Sequence, residues 1–155
     1  MMKRDAKNAG DREFVTVMIG EQLFGMPIDR VHDVFAADRL TRVPLARDEI
    51  AGILNLRGRI VTAIDMRKCL DLPPKQDVTN QMAVGIEAHG ESYGLLIDEV
   101  GEVMKLPAAQ QEPVPVNLDR RWVGVAAGVY RLEDSLMIIL DIDRVLDVQP
   151  REAAA

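Results

Sequence analysis

One cysteine, two histidines and two serines in 155 residues leave this chain short of the side chains most enzymes depend on. A single thiol, Cys69, can neither close an intramolecular disulfide nor build a cysteine-rich zinc site, which also fits a reducing compartment. His32 and His89 fall in no His-x-x-x-His or Cys-x-x-Cys spacing, and neither Ser92 nor Ser135 lies in a Gly-x-Ser-x-Gly turn. The stretch Gly52-Ile53-Leu54-Asn55-Leu56-Arg57-Gly58 lacks the Lys-Ser or Lys-Thr ending of a phosphate loop. Basic residues come in runs of at most two, as at Arg120-Arg121, and the formal net charge is −6, so the clustered Lys and Arg that hold nucleic-acid backbone are missing. No apolar run approaches the roughly 18 residues needed to span a bilayer. Residues 1–12 are polar and mixed in charge, with no hydrophobic signal core. These absences predict a cytoplasmic protein that is not an enzyme and needs no metal or cofactor.

What the chain does have is ordinary globular content, 48% hydrophobic and 28% charged, and enough length to bury roughly 70% of its unfolded surface. It also repeats itself. Residues 14–34 lie over residues 83–103 at a constant shift of 69, so that Val15 meets Val84, Gly25 meets Gly94 and Ile28-Asp29 meets Ile97-Asp98. Residues 52–72 lie over 128–148 at a shift of 76, with Gly52, Leu56, Asp65 and Leu70 recurring as Gly128, Leu132, Asp141 and Leu146. The seven extra residues fall in the proline-bearing stretch 104–122, where a loop absorbs them. Two ordered blocks at similar shifts predict two copies of one unit. The expected division is a mobile arm at 1–13, a first repeat at about 14–72, a linker at about 73–78, a second repeat at about 79–148 and a tail at 149–155.

Each copy has a strand pattern. Val15, Val17 and Ile19 alternate with their neighbours, and Gly20-Glu21 offers a tight turn into a run where Phe24, Met26 and Ile28 share a face. The second copy repeats this hairpin around His89-Gly90. Residues 28–34 have helical spacing taken alone, but their partner segment with Gly101 and Val103 favours an extended strand. Residues 60–64 and 136–140 are apolar runs of strand length, each followed by an aspartate and then apolar residues at helical spacing. Asp65 and Asp141 are therefore expected to cap short helices. The predicted fold is mainly β: two five-stranded, SH3-like barrels from an internal duplication, sharing a core, with short helices.

Two barrel-like halves that each offer an aspartate raise the alternative of an enzymatic or small-ligand-binding β-barrel. Paired carboxylates of the aspartic-protease kind are, however, followed by Thr or Ser and then Gly, whereas Asp65 precedes Met66-Arg67 and Asp141 precedes Ile142-Asp143. The copies differ most at one turn. Arg131-Leu132-Glu133-Asp134 in the second copy faces Asn55-Leu56-Arg57-Gly58 in the first, so the sign of charge changes while the apolar frame is kept. Arg57 beside Gly58 should project from a tight turn with its guanidinium free to donate as a fork; the bland alternative is a solubilising surface arginine.

The string from Ile50 to Arg67, with Asn55-Leu56-Arg57-Gly58 followed by a β-run and Asp65-Met66-Arg67, closely resembles the most characteristic stretch of the CheW-type chemotaxis coupling proteins. The resemblance extends from about Phe14 to Leu146 and includes the opening hairpin, Val43-Pro44, Tyr93 to Val100, and Gly128 to Asp141. Members commonly carry a proline in the strand after Arg-Gly; Thr62-Ala63 stand there instead, which bears only on local strand geometry. The resemblance implies a non-catalytic scaffold. It would bridge the cytoplasmic tips of methyl-accepting chemotaxis receptors and the regulatory domain of the CheA histidine kinase, with Arg57 on the receptor-binding surface and the kinase held by apolar patches at the end of one barrel.

Overall fold

The computed structural model describes residues 10–37, 40–44, 46, 48–74 and 81–146. Most of the expected arm, the linker beyond Pro74 and the tail lie outside them. Alternating apolar residues build β1 (Asp11–Ile19) and β2 (Gln22–Pro27) into a hairpin turned by Gly20-Glu21. The first strand starts inside the segment expected as an arm at 1–13, because Asp11, Arg12 and Glu13 pair with Pro107, Leu106 and Lys105. Arg12 explains the early start: it donates to Gln111 Oε1 at 2.7 Å and lies 5.1 Å from the Phe14 ring centroid, ties that apolar periodicity does not report.

A single 3₁₀ turn at Ile28–Arg30 leads into β3 (Val31–Ala36), which settles the helix-or-strand choice largely for strand. A second hairpin joins β4 (Ile50–Leu56) to β5 (Arg59–Asp65), followed by a one-turn helix at Met66–Cys69. Asp65 caps that helix as expected, accepting from the amides of Arg67 and Lys68 at 3.0 and 3.3 Å. The second copy follows the same order with β6 (Met82–Ala88), β7 (Glu91–Ile97), β8 (Glu99–Pro107), β9 (Ala126–Arg131) and β10 (Leu136–Leu140). A one-turn helix at Arg120–Val123 precedes β9. A helical turn at 142–146 follows β10, where Asp141 accepts from the amide of Arg144 at 3.2 Å.

The ten strands form two five-stranded sheets, ordered β8-β1-β2-β10-β9 and β3-β6-β7-β5-β4. The two sheets do not follow the two repeats. The opening hairpin of each copy leaves its own half and pairs in the sheet of the other, β1-β2 beside β8 and β10, and β6-β7 beside β3 and β5. Pairing is antiparallel except at β2-β10 and β5-β7. Neither half of the chain owns a complete sheet.

Burial on both strand faces explains the near-continuous apolar runs. Val15, Val17 and Ile19 of β1 face a core shared between the sheets, together with Phe24, Met26, Ile138 and Leu140 from the first sheet and Ile64, Val84, Ile86, Leu95 and Ile97 from the second. The opposite faces line separate interiors: Phe14, Tyr130, Met137 and Ile139 in the first sheet, and Leu54, Val61, Ala63, Ala83 and Leu96 in the second. The repeated Gly25 and Gly94 share one reason. A Cβ on Gly25 would stand 2.8 Å from the Met137 methyl, and one on Gly94 would stand 3.1 Å from Phe35 Cζ, so each glycine admits a large side chain across a small interior.

Candidate functional site

The parallel pairing of β5 with β7, with Val61 opposite Ser92, brings two hairpin turns to one end of the second sheet. Arg57-Gly58 and His89-Gly90 both have positive φ at their two central residues, 55° and 85° in the first and 54° and 76° in the second. That is the primed turn whose twist matches a two-residue hairpin. Asn55 Oδ1 accepts a hydrogen bond from the Gly58 amide at 2.9 Å.

Arg57 is exposed, and no hydrogen bond or ion pair among the described residues engages its guanidinium. Arg59 stands next to it and is already committed, bound to Glu87 Oε2 at 2.8 Å. Ile60, the next residue of β5, is 60% exposed. An open cleft of about 360 Å³ runs beside it, lined by Arg59, Ile60, Thr62, Glu87 and Glu91. Burial and the nearby Glu91 carboxylate raise the pKa of Tyr93, one strand in. This end of the sheet thus offers one uncommitted forked cation beside exposed apolar surface, which suits binding a partner better than moving a proton. The exposure of Ile60 was hidden in an apolar run whose other members, Val61, Ala63 and Ile64, are buried.

Arg67, from the same motif, sits elsewhere. Its Nε and Nη2 donate to the two carboxylate oxygens of Asp98 at 3.0 and 2.7 Å, and Asp98 Oδ2 also accepts from the Gly20 amide at 2.8 Å. Side-chain exposures of 20% and 13% make this a half-buried clamp joining the first hairpin turn to the bend between β7 and β8. The Asp98 hydrogen bond outweighs desolvation and raises the Arg67 pKa.

The residues that could have carried other chemistry are dispersed. His32 is exposed on β3, His89 occupies its turn, and Cys69 is half-buried against the shared core. Among the described residues no group of three or more His, Cys, Asp or Glu could hold a metal ion, and no helix is long and apolar enough to cross a membrane. At the mouth of the second sheet, Phe35, Leu56 and Tyr93 leave a void of only about 20 Å³. Exposed apolar residues also occur on two edge strands, Val34 on β3 and Val103 on β8, which the repeat places at equivalent positions.

Residues 13–149 match the family model of the CheW-like domain. Among solved structures, the scaffolding protein TtCheW from Thermoanaerobacter tengcongensis is similar with a TM-score of 0.75 and 28% identity, over 83% of this chain and 88% of that one. The chemotaxis protein CheW of Klebsiella aerogenes is 28% identical over 91% of this chain and 87% of its own length. That of Thermotoga maritima is 26% identical over 94% and 95%.

Proposed function

The chain belongs to the CheW-like family of chemotaxis proteins, and from that premise we propose that it is a non-catalytic adaptor in the cytoplasm, coupling methyl-accepting chemotaxis receptors to the CheA histidine kinase. The receptor-binding residue is Arg57. The observation that carries this reading is its geometry: an arginine without a partner among the described residues, exposed on a tight turn beside Ile60, at the sheet end where Arg59 is neutralised by Glu87. A planar donor held off the surface can grip a carboxylate or a pair of backbone carbonyls on a partner's tip. The kinase regulatory domain takes a separate apolar surface, so that both partners bind at once.

The packed interiors support an adaptor over a small-ligand barrel, since the mouth of the second sheet leaves only about 20 Å³ where a ligand held inside a barrel needs several hundred. The test is capture by the purified chain of a CheA regulatory domain and of receptor cytoplasmic fragments, each alone and then together. Binding of both in one ternary complex is expected. Binding of neither contradicts the proposal.

A further inference from the structure

The turn that presents Arg57 is occupied by a residue poorly suited to it. A primed two-residue turn needs left-handed backbone at both central positions, which glycine adopts without strain and Asn or Asp tolerate, whereas a long side chain such as arginine adopts it only at a cost. Gly58 meets the requirement without strain; Arg57, at φ 55°, meets it at a cost. We propose that Asn55 is the positioning residue that offsets this strain and fixes the direction in which Arg57 leaves the sheet.

Leu56 and Arg59 close the hairpin as the last paired residues, so the Gly58 amide falls outside the ladder. Asn55 Oδ1 accepts from that amide at 2.9 Å. The amide belongs to the peptide between Arg57 and Gly58, and the orientation of that peptide is the ψ of Arg57. Holding it holds the arginine. No side-chain hydrogen bond of this kind supports the His89-Gly90 turn among the described residues; the side chain two residues before His89, Glu87, is bound instead to Arg59. Asn55 and Glu87 thus act on neighbouring arginines in opposite ways, the first presenting Arg57 and the second occupying Arg59. A presented donor loses less conformational freedom on binding than a free one, and affinity rises accordingly.

The proposal rests on Arg57 facing the receptor, so its test separates the two ideas. Asn55→Ala and Asn55→Asp are each made in the native chain and in an Arg57→Ala background, and receptor-fragment affinity and melting temperature are measured for all. Asn55→Ala should weaken receptor binding roughly three- to tenfold while lowering the melting temperature by no more than about 2–4 °C. Asn55→Asp keeps the acceptor oxygen and should restore binding to within about twofold of native. With Arg57 already replaced, Asn55→Ala should weaken binding no further. Native binding by Asn55→Ala alongside weak binding by Arg57→Ala overturns the positioning role alone. Equal losses with and without Arg57 also overturn it, because Asn55 would then act independently of the arginine. An Arg57→Ala chain that binds as native overturns the receptor-facing reading and the positioning role with it.

Discussion

The two sheets are built on one plan and finish differently. In each, a parallel strand pair brings two turns to the same end. At the end of the second sheet stand Arg57, Arg59 and His89 together with Glu87 and Glu91; at the equivalent end of the first stand Glu21, Glu133 and Asp134 together with Arg131, which is bound to Glu112. The frame beneath them is nearly the same, down to Gly25 and Gly94 under a crossing side chain. Packing on both faces constrains the frame, whereas an exposed turn side chain touches little and is free to take on a role. Duplication here supplies two supports, and one of them carries a forked cation that no other described residue engages.

The largest expected contrast lies in the equivalent glycines within β4 and β9. A Cβ on Gly52 would stand 2.5 Å from the Thr41 carbonyl oxygen, which is locked in a two-way backbone bridge with Ile53. A Cβ on Gly128 would stand 2.6 Å from the end of the Gln111 side chain, which can move, and 3.0 Å from the Glu112 carbonyl. Gly52→Ala should therefore cost about 3 kcal/mol and Gly128→Ala about 1–2 kcal/mol in denaturant unfolding. Equal costs would show that the two positions accommodate a methyl group alike.

The next contrast lies at the junctions between the sheets. Asp143 stands where the repeat places Arg67, and it pairs with Arg30 at 3.1 Å, reversing the polarity of the Arg67–Asp98 clamp. With side-chain exposures of 29% and 61%, the Arg30–Asp143 pair is open to water. Arg67→Ala should cost about 2–3 kcal/mol, since it strips a half-buried carboxylate of its bidentate partner, while Arg30→Ala should cost at most about 0.5 kcal/mol. Urea midpoints for both variants measure the difference.

A smaller effect of opposite sign is expected inside the first sheet. The Tyr130 hydroxyl is buried with no hydrogen-bond partner among the described residues, its ring edge-on to Phe14 at 5.5 Å. Tyr130→Phe removes that orphan and should be neutral or stabilising by up to about 1 kcal/mol. Burial, partly opposed by Arg12, raises the Tyr130 pKa above its usual value of 10.0. The folded state therefore keeps a proton that the unfolded state has released. Stability from this group is complete below about pH 10 and falls as pH rises through the folded pKa. Unfolding from pH 8 to 11 should show a smaller alkaline loss for Tyr130→Phe than for the native chain, with Tyr93 supplying part of what remains.

The hairpins, the two aspartate caps and the Arg57 turn were legible in the sequence, because alternation, Gly-containing turns and capping side chains act over a few residues. The exchange of hairpins was not. Period-two alternation says which face of β1 or β6 meets a core but not which strand lies beside it, and the repeated hairpins fit either sheet equally well. The start of β1 was hidden because Arg12 is held by a side-chain hydrogen bond and a ring contact. Arg67 was visible as part of a motif, yet its role depends on Asp98, far along the chain, and on a turn amide that no spacing announces.

The most direct measurement replaces Arg57 by Glu, which gives the second sheet the acidic turn that the first already has. Melting temperature, binding to the kinase regulatory domain and receptor-dependent kinase activation are read on the same variant. Stability should stay within about 0.5 kcal/mol of native and kinase binding should hold. Receptor affinity should fall roughly 5- to 150-fold, taking receptor-dependent activation down with it. A steep drop in melting temperature would make Arg57 a structural residue, and unchanged activation would place the receptor surface elsewhere.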